Sequence, residues 1–175
     1  RVVPGVEALV FMTGAPFAWN GGGLFITRSG YTGEDGFEIS VHASQAEAFA
    51  RALLAQPEVL PIGLGARNSL RLEAGLCLYG NDIDTTTTPI EGALNWAIQK
   101  VRRPGGEREG GFPGAAIVLA QLQNPQQLTR KRVGLVALER IPVREPSVPV
   151  NMDGQRIGHI TSGAVSSAMN RAVAS

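Results

Sequence analysis

Apolar and polar residues alternate along two short segments in the first third of the chain. Leu24 to Arg28 and Phe37 to Val41 have the spacing of half-buried β-strands. The segment between them, Ser29 to Gly36, contains glycines that permit a tight connection. The pattern therefore predicts a β-hairpin.

Helical spacing follows directly after the second strand. Ser44 and Glu47 have the spacing of a capping box, which predicts a helix start. The apolar face of this helix is formed by Ala46, Phe49, Ala50, Leu53 and Leu54. A second helix is predicted from Leu64 to Glu73, with Gly75 just past its end.

A third helix is predicted to begin at Thr88. Thr88 can cap the helix, Pro89 suits its first position, and Glu91 completes a capping box. Its apolar face would comprise Ile90, Leu94, Ala97, Ile98 and Val101. A short fourth helix is predicted from Gly114 to about Leu122.

The pattern changes near Thr129, where strand signals replace helical ones. Val133 to Leu138 is predicted to be a strand, and Asp153-Gly154 is a strong hairpin-turn signal. Arg156 to Thr161 is the returning strand of that hairpin. The fold class is therefore α+β, with a β region at the end of the chain.

Composition narrows the class of protein. The chain has 175 residues, 43% of them hydrophobic and 18% charged, which suits one folded domain or one domain plus part of another. A net charge of +1 gives no strong field for nucleic acid, and no apolar run is long enough for a membrane span. Cys77 is interpreted as a small buried hydrophobe, and no Cys/His spacing indicates a metal site.

Two features could carry binding chemistry. Glu38 lies on the polar face of its strand, which is either a solvated face or a binding face. Arg67 and Arg71 are four residues apart on the second helix, where like charges repel by about 0.2–0.5 kcal/mol. An anionic ligand would relieve that repulsion, and so would a surface pair with Glu73 or Asp82.

Four sequence blocks carry a family resemblance. They are SGYTGEDGFEISV (29–41), GLGARNSLRLEAGLCLYGNDID (63–84), TTPIEGALNW (87–96) and RKRVGL (130–135), followed by IGHITSG ending at Gly163. In this order they resemble the glycine cleavage system aminomethyltransferases (T-proteins) over nearly the whole chain. A weaker likeness extends to the folate domains of sarcosine and dimethylglycine dehydrogenases.

The resemblance implies a fold and a reaction. Residues 1–125 would form a ferredoxin-like, α+β folate-binding region, and 126–175 part of a C-terminal β-barrel. In the family, N5 of tetrahydrofolate attacks an aminomethyl carbon carried on the lipoyl arm of the H-protein, ammonia leaves, and 5,10-methylenetetrahydrofolate forms. Lipoylated H-protein is thus the implied partner, tetrahydrofolate the implied cofactor, and the mitochondrial matrix or bacterial cytoplasm the implied location.

The resemblance also implies site residues. Glu38 matches the family residue that accepts the N3–H and 2-amino donors of the pterin, and Arg67 matches a folate-contacting arginine. Tyr31 and Trp96 match aromatic contacts, although either could serve packing instead. The catalytic aspartate of the family is expected upstream of Arg1, so no catalytic residue is predicted in this chain.

Three alternatives and two departures remain at this point. The alternatives are a non-catalytic folate-binding protein of the same architecture, the folate domain of a sarcosine or dimethylglycine dehydrogenase, and an interaction module that has lost its ligand. Asn68 stands where the family usually has Asp, which puts a local salt bridge in doubt. Ser167 stands where the family usually has Pro, which makes the assignment of the last stretch less secure.

Overall fold

A computed structural model of the chain describes residues 1–139, 143 and 148–175. The fold mixes α-helices with small β-sheets and divides into two compact units, residues 1–74 and 75–175. The predicted domain boundary between 125 and 126 stays a prediction. Within the described residues, every helix is too short or too polar to cross a membrane.

The first unit contains a three-stranded antiparallel sheet. Its strands are β1 (Gly14–Trp19), β2 (Gly22–Thr27) and β3 (Glu38–Val41), with β2 in the centre. The predicted hairpin between the second and third strands is confirmed, and Thr27 lies opposite Glu38 at its loop end. A tight turn at Asn20-Gly21, both with positive φ, joins β1 to β2.

The core of the first unit lies between this sheet and helix α1 (Ala43–Leu54). Its buried members are Val3, Leu24, Ile26 and Phe49. The Phe49 ring meets Trp19 edge-on, with the ring centroids 5.0 Å apart. Alternation along β3 directs Ile39 and Val41 toward this core and leaves Glu38 exposed, as predicted.

Helix α1 is confirmed, but its cap is not the predicted one. His42 is the N-cap, and its Nδ1 accepts a hydrogen bond from the backbone N–H of Ser44. Because the helix begins before Ser44, Glu47 falls outside the capping position and pairs with Arg51 at 2.8 Å instead. Leu54 was predicted on the buried face and is 48% exposed.

Helix α2 (Leu64–Glu73) has the predicted bounds. Ala74 ends the helix, and Gly75 follows with a φ of +73°, the left-handed conformation that commonly terminates helices. Helix α2 thus contains the first half of the second sequence block (63–84).

The second unit holds helix α3 (Ala115–Gln123), close to the prediction. It also holds two small antiparallel sheets, whose strands are β4 (Leu135–Val136), β5 (Pro149–Met152), β6 (Gln155–His159), β7 (Gly163–Ser166) and β8 (Arg171–Ala174). Strands β5 and β6 pair with each other, and the other three follow the order β4-β8-β7. Asp153-Gly154 forms the predicted hairpin turn, with φ values of +52° and +77°.

The predicted α-helix from Thr88 to Val101 is wrong. The capping box does form, because the Thr88 backbone donates to Glu91 Oε2 at 3.0 Å and the Glu91 backbone donates to Thr88 Oγ1 at 3.1 Å. Ala93 then takes a left-handed φ of +56°, which ends the turn. Arg132 Nε binds the Gly92 carbonyl at 3.1 Å. That tertiary contact uses a carbonyl that a continuing helix would have needed.

Short 3-10 turns replace that helix. They comprise Asn95–Ala97 and Lys100–Arg102. Cys77 was interpreted as buried, and it is only partly so, with Sγ 3.8 Å from the carbonyl oxygen of Gly92.

Candidate functional site

The loop between β2 and β3 is held at its base by an ion pair. Arg28 donates from Nε to Asp35 Oδ1 at 2.9 Å and from Nη2 to Oδ2 at 2.7 Å, a bidentate fork. The hydrogen bonds to Asp35 are the largest cause of a raised pKa of Arg28, and the negative charge of Asp35 is the second. The hydrogen bond from Arg28 is in turn the largest cause of a lowered pKa of Asp35. Both groups therefore stay charged at neutral pH and fix the two ends of the loop.

The same loop touches the end of helix α2. Gly33 has a φ of +79°, and a Cβ built there would lie 2.4 Å from the Cβ of Ala74. Only glycine fits this position without displacing one of the two segments. The close approach sets the distance between the loop and the helix.

Tyr31 of the β2–β3 loop and Arg67 of α2 also contact each other. The guanidinium carbon of Arg67 lies 4.3 Å from the centre of the Tyr31 ring, a cation–π geometry. Both residues were predicted to contact folate, and the structure brings them together; their contact with folate stays a prediction. The cation and the ring thus form one pair that links the β2–β3 loop to α2.

Glu38 stands at the start of β3 with its carboxylate exposed. Ser29 Oγ donates to Glu38 Oε2 at 2.5 Å, and Thr27 Oγ1 lies 2.7 Å from Ser29 Oγ. The carboxylate is therefore oriented by a chain of two hydroxyl groups. Sequence reasoning did not select Thr27 or Ser29, although a hairpin places them beside the residue that opens the next strand.

The two arginines of α2 occupy different environments. Arg67 is exposed, whereas Arg71 has no exposed surface. Arg71 Nε donates to Asn68 Oδ1 at 2.8 Å, so the residue that departs from the family pattern still accepts a hydrogen bond, without a charge. Of these two arginines, Arg67 is therefore the one that solvent reaches.

Trp96 belongs to the second unit, while Tyr31, Glu38 and Arg67 belong to the first. Its side chain is 67% exposed within the turn Asn95–Ala97. The predicted aromatic contact of Trp96 with folate stays a prediction.

The second unit contains a hydrogen-bonded cluster centred on Asp82. Its carboxylate accepts from Thr161 Oγ1 at 2.5 Å, from Ser175 Oγ at 2.7 Å and from the Leu78 backbone at 2.8 Å. Burial alone would raise the pKa of Asp82, but these donors and Ser162 outweigh it and lower the pKa to about 2. The cluster is structural, because it ties the second sequence block to the final strands.

The sequence profile of the GCVT N-terminal domain matches residues 4–102. That match covers more than half of the chain, and the chain therefore belongs to this family. The assignment agrees with the mixed α/β fold and with the position of Glu38 and Arg67 in the matched range.

Individual relatives are similar over almost the whole chain. The mitochondrial aminomethyltransferase of Canis lupus familiaris is 51% identical over 99% of this chain, and that of Homo sapiens is 49% identical over 99%. The chain spans 41% of the length of each. The crystal structure of the glycine cleavage system aminomethyltransferase T from Bartonella henselae superposes with a TM-score of 0.84 at 45% identity, covering 96% of this chain and 44% of that one.

Proposed function

We propose that this chain is the folate-binding portion of an aminomethyltransferase of the glycine cleavage system. The carrying observation is the contact of Arg67 on α2 with Tyr31 on the β2–β3 loop, which leads directly into Glu38 at the start of β3. Relatives named as aminomethyltransferases match almost the whole length of the chain. The proposed substrate is tetrahydrofolate, and the proposed partner is the lipoylated H-protein.

The residues suit a pterin chemically. A 2-amino-4-oxo pteridine presents N3–H and its amino group side by side, and a carboxylate accepts both donors in a bidentate pair. Glu38 would supply that carboxylate. Tyr31 offers a flat surface to the ring, and Arg67 offers a fixed cation to a pterin oxygen or to the glutamate tail.

The protein's share of the reaction is positioning and electrostatics. N5 of tetrahydrofolate attacks the aminomethyl carbon, ammonia and the dihydrolipoyl thiol leave, and the carbon ends as a methylene bridge between N5 and N10. Orienting two reactants lowers such a barrier by about 7–11 kcal/mol at best. The residues of this chain orient the folate, and we assign no catalytic group to them.

The proposal extends to the finer fold and the compartment. The first unit would be part of a ferredoxin-like folate-binding region, and the final strands β7 and β8 part of a C-terminal β-barrel. The mitochondrial names of the animal relatives and the Bartonella structure support the mitochondrial matrix or the bacterial cytoplasm as the location.

Substitution of Glu38 tests the proposal. In a full-length aminomethyltransferase that contains these 175 residues, Glu38→Ala should weaken tetrahydrofolate binding by at most about 3–5 kcal/mol, because two charge-assisted hydrogen bonds are lost. Calorimetry measures the affinity. Glu34→Ala is the matched control, since Glu34 is an exposed carboxylate in the adjoining loop. Equal affinity in both variants and the wild type would refute Glu38 as the pterin ligand.

A further inference from the structure

The Glu38 carboxylate is held by a single side chain. Among the residues that the structure describes, Ser29 is the side chain that hydrogen-bonds it, through Oγ to Oε2 at 2.5 Å. Thr27 Oγ1 approaches Ser29 Oγ at 2.7 Å from the other side. The three groups form a short hydrogen-bonded chain at the loop end of the β2–β3 hairpin.

The number of protons available decides which group donates in each of these two hydrogen bonds. A hydroxyl has one proton to donate, and an ionised carboxylate can only accept. Ser29 therefore gives its proton to Glu38, and Thr27 gives its proton to Ser29. The Thr27 donor leaves Ser29 with its own proton free to point at Glu38, which favours one orientation of the hydroxyl.

We propose that Ser29 is a positioning residue for pterin recognition, which sets the plane of the Glu38 carboxylate, with Thr27 fixing the orientation of the Ser29 hydroxyl. The inference rests on the proposed function. In this proposal Glu38 contacts the pterin, whereas Ser29 and Thr27 act on the pterin only through Glu38.

The geometry leaves room for the ligand. A carboxylate offers about four lone-pair directions, and Ser29 occupies one of them. Both oxygens can still accept the two parallel N–H donors of a 2-amino-4-oxo pteridine. The terminal torsion of a glutamate is broad, so an exposed carboxylate without Ser29 would sample many planes, of which few suit a bidentate partner. Ser29 thus removes part of the ordering cost of binding.

The test compares Ser29→Ala with two further variants in a full-length aminomethyltransferase that contains these residues. Calorimetry with tetrahydrofolate should show a roughly three- to tenfold loss of affinity for Ser29→Ala, since a side chain must be immobilised on binding. Ser29→Thr retains the hydroxyl and should retain most of the affinity. Ser40→Ala is the matched control, because Ser40 lies two residues beyond Glu38 on the same exposed face of β3.

A double-mutant cycle separates positioning from general destabilisation. In a Glu38→Ala background, Ser29→Ala should cause almost no additional loss, because the group that it positions is gone. Side-chain ¹³C relaxation of Glu38, measured without folate, should show greater mobility in Ser29→Ala and little change in Ser40→Ala.

Each outcome decides the question. Wild-type affinity in Ser29→Ala, alongside a large loss in Glu38→Ala, would overturn the inference and leave the proposed function standing. An undiminished Ser29→Ala loss in the Glu38→Ala background would also overturn it. Absence of folate binding by the wild-type protein would instead refute the proposed function, and the inference with it.

Discussion

A single stacked pair, Arg67 on Tyr31, shows why charge alone does not define this site. The guanidinium carbon lies 4.3 Å from the ring centre. A lysine at position 67 would keep the charge and lose the planar face that both the ring and a bidentate ligand require.

Arg67→Lys should therefore weaken tetrahydrofolate binding by about 1 kcal/mol or more. Calorimetry in the full-length protein measures the change. Arg51→Lys is the control, because Arg51 is an exposed cation of α1 in a surface ion pair with Glu47. Equal affinities in Arg67→Lys and wild type would make Arg67 an ordinary surface cation.

Asp82 makes stability depend on pH. Its folded-state pKa is lowered to about 2, below the usual unfolded value of about 3.9. The stabilisation is therefore complete above the unfolded pKa and is lost as the pH falls through 3.9 toward 2. After allowance for solvent screening of a half-exposed group, it amounts to about 1–2 kcal/mol.

Urea unfolding at a series of pH values checks this expectation. Wild type should exceed Asp82→Asn in stability at pH 7, and the difference should shrink steadily between about pH 5 and 2. Asp153→Asn, which changes an exposed turn carboxylate, serves as the control. A difference that stays constant over this range would show that Asp82 does not act through its charge.

At the scale of elements, Gly33 allows the β2–β3 loop to approach the end of α2 closely. Gly33→Ala would place a methyl group 2.4 Å from the Ala74 Cβ at a φ of +79°. We expect the loop to shift and folate affinity to fall about tenfold, because small misplacements of binding groups are costly. Gly30→Ala, in the same loop, meets no atom within 4 Å and should bind normally.

The measurement is the tetrahydrofolate affinity of both alanine variants, together with the Tyr31 chemical shifts. Equal behaviour of Gly33→Ala and Gly30→Ala would show that the close approach to Ala74 does not set the site. The comparison is sharp because both changes add the same methyl group to the same loop.

Elements with a consistent local signal could be predicted from the sequence, and those decided by distant contacts could not. The β2–β3 hairpin and α2 have periodicity and glycine punctuation in agreement. Strand β1 escaped prediction because Pro16 argues against a strand, yet β1 is an edge strand, where a missing N–H is tolerated. The helix after Thr88 failed because Arg132 claims the Gly92 carbonyl.

The candidate site shows the same division. The family resemblance selected Glu38, Arg67 and Tyr31, and the structure adds the contact between Arg67 and Tyr31. Ser29 has no distinctive pattern in the sequence, because its importance depends on hairpin register and side-chain direction. Tertiary geometry alone identifies it.

At the scale of the whole molecule, the chain by itself should not catalyse aminomethyl transfer. The chain spans 41% of the length of its mammalian relatives. Positioning two reactants for transfer requires all the residues that surround them. Assay of ammonia and methylenetetrahydrofolate formation from aminomethylated H-protein tests the 175-residue chain against a full-length relative. Comparable turnover by the two proteins would contradict the proposal that these 175 residues orient the folate but do not complete the catalytic site.

Arg71 is buried one turn beyond the exposed Arg67 on α2, so the two side chains should differ in their reactivity toward a reagent in solution. A dicarbonyl reagent such as phenylglyoxal attacks accessible guanidinium groups, so peptide mass mapping should find the adduct on Arg67 and none on Arg71 while the helix is seated. Labelling of Arg71 would then record the unfolding of the structure around it as denaturant is added. A bound folate should shield Arg67 in the same map, so one footprint reads folding and occupancy at neighbouring positions.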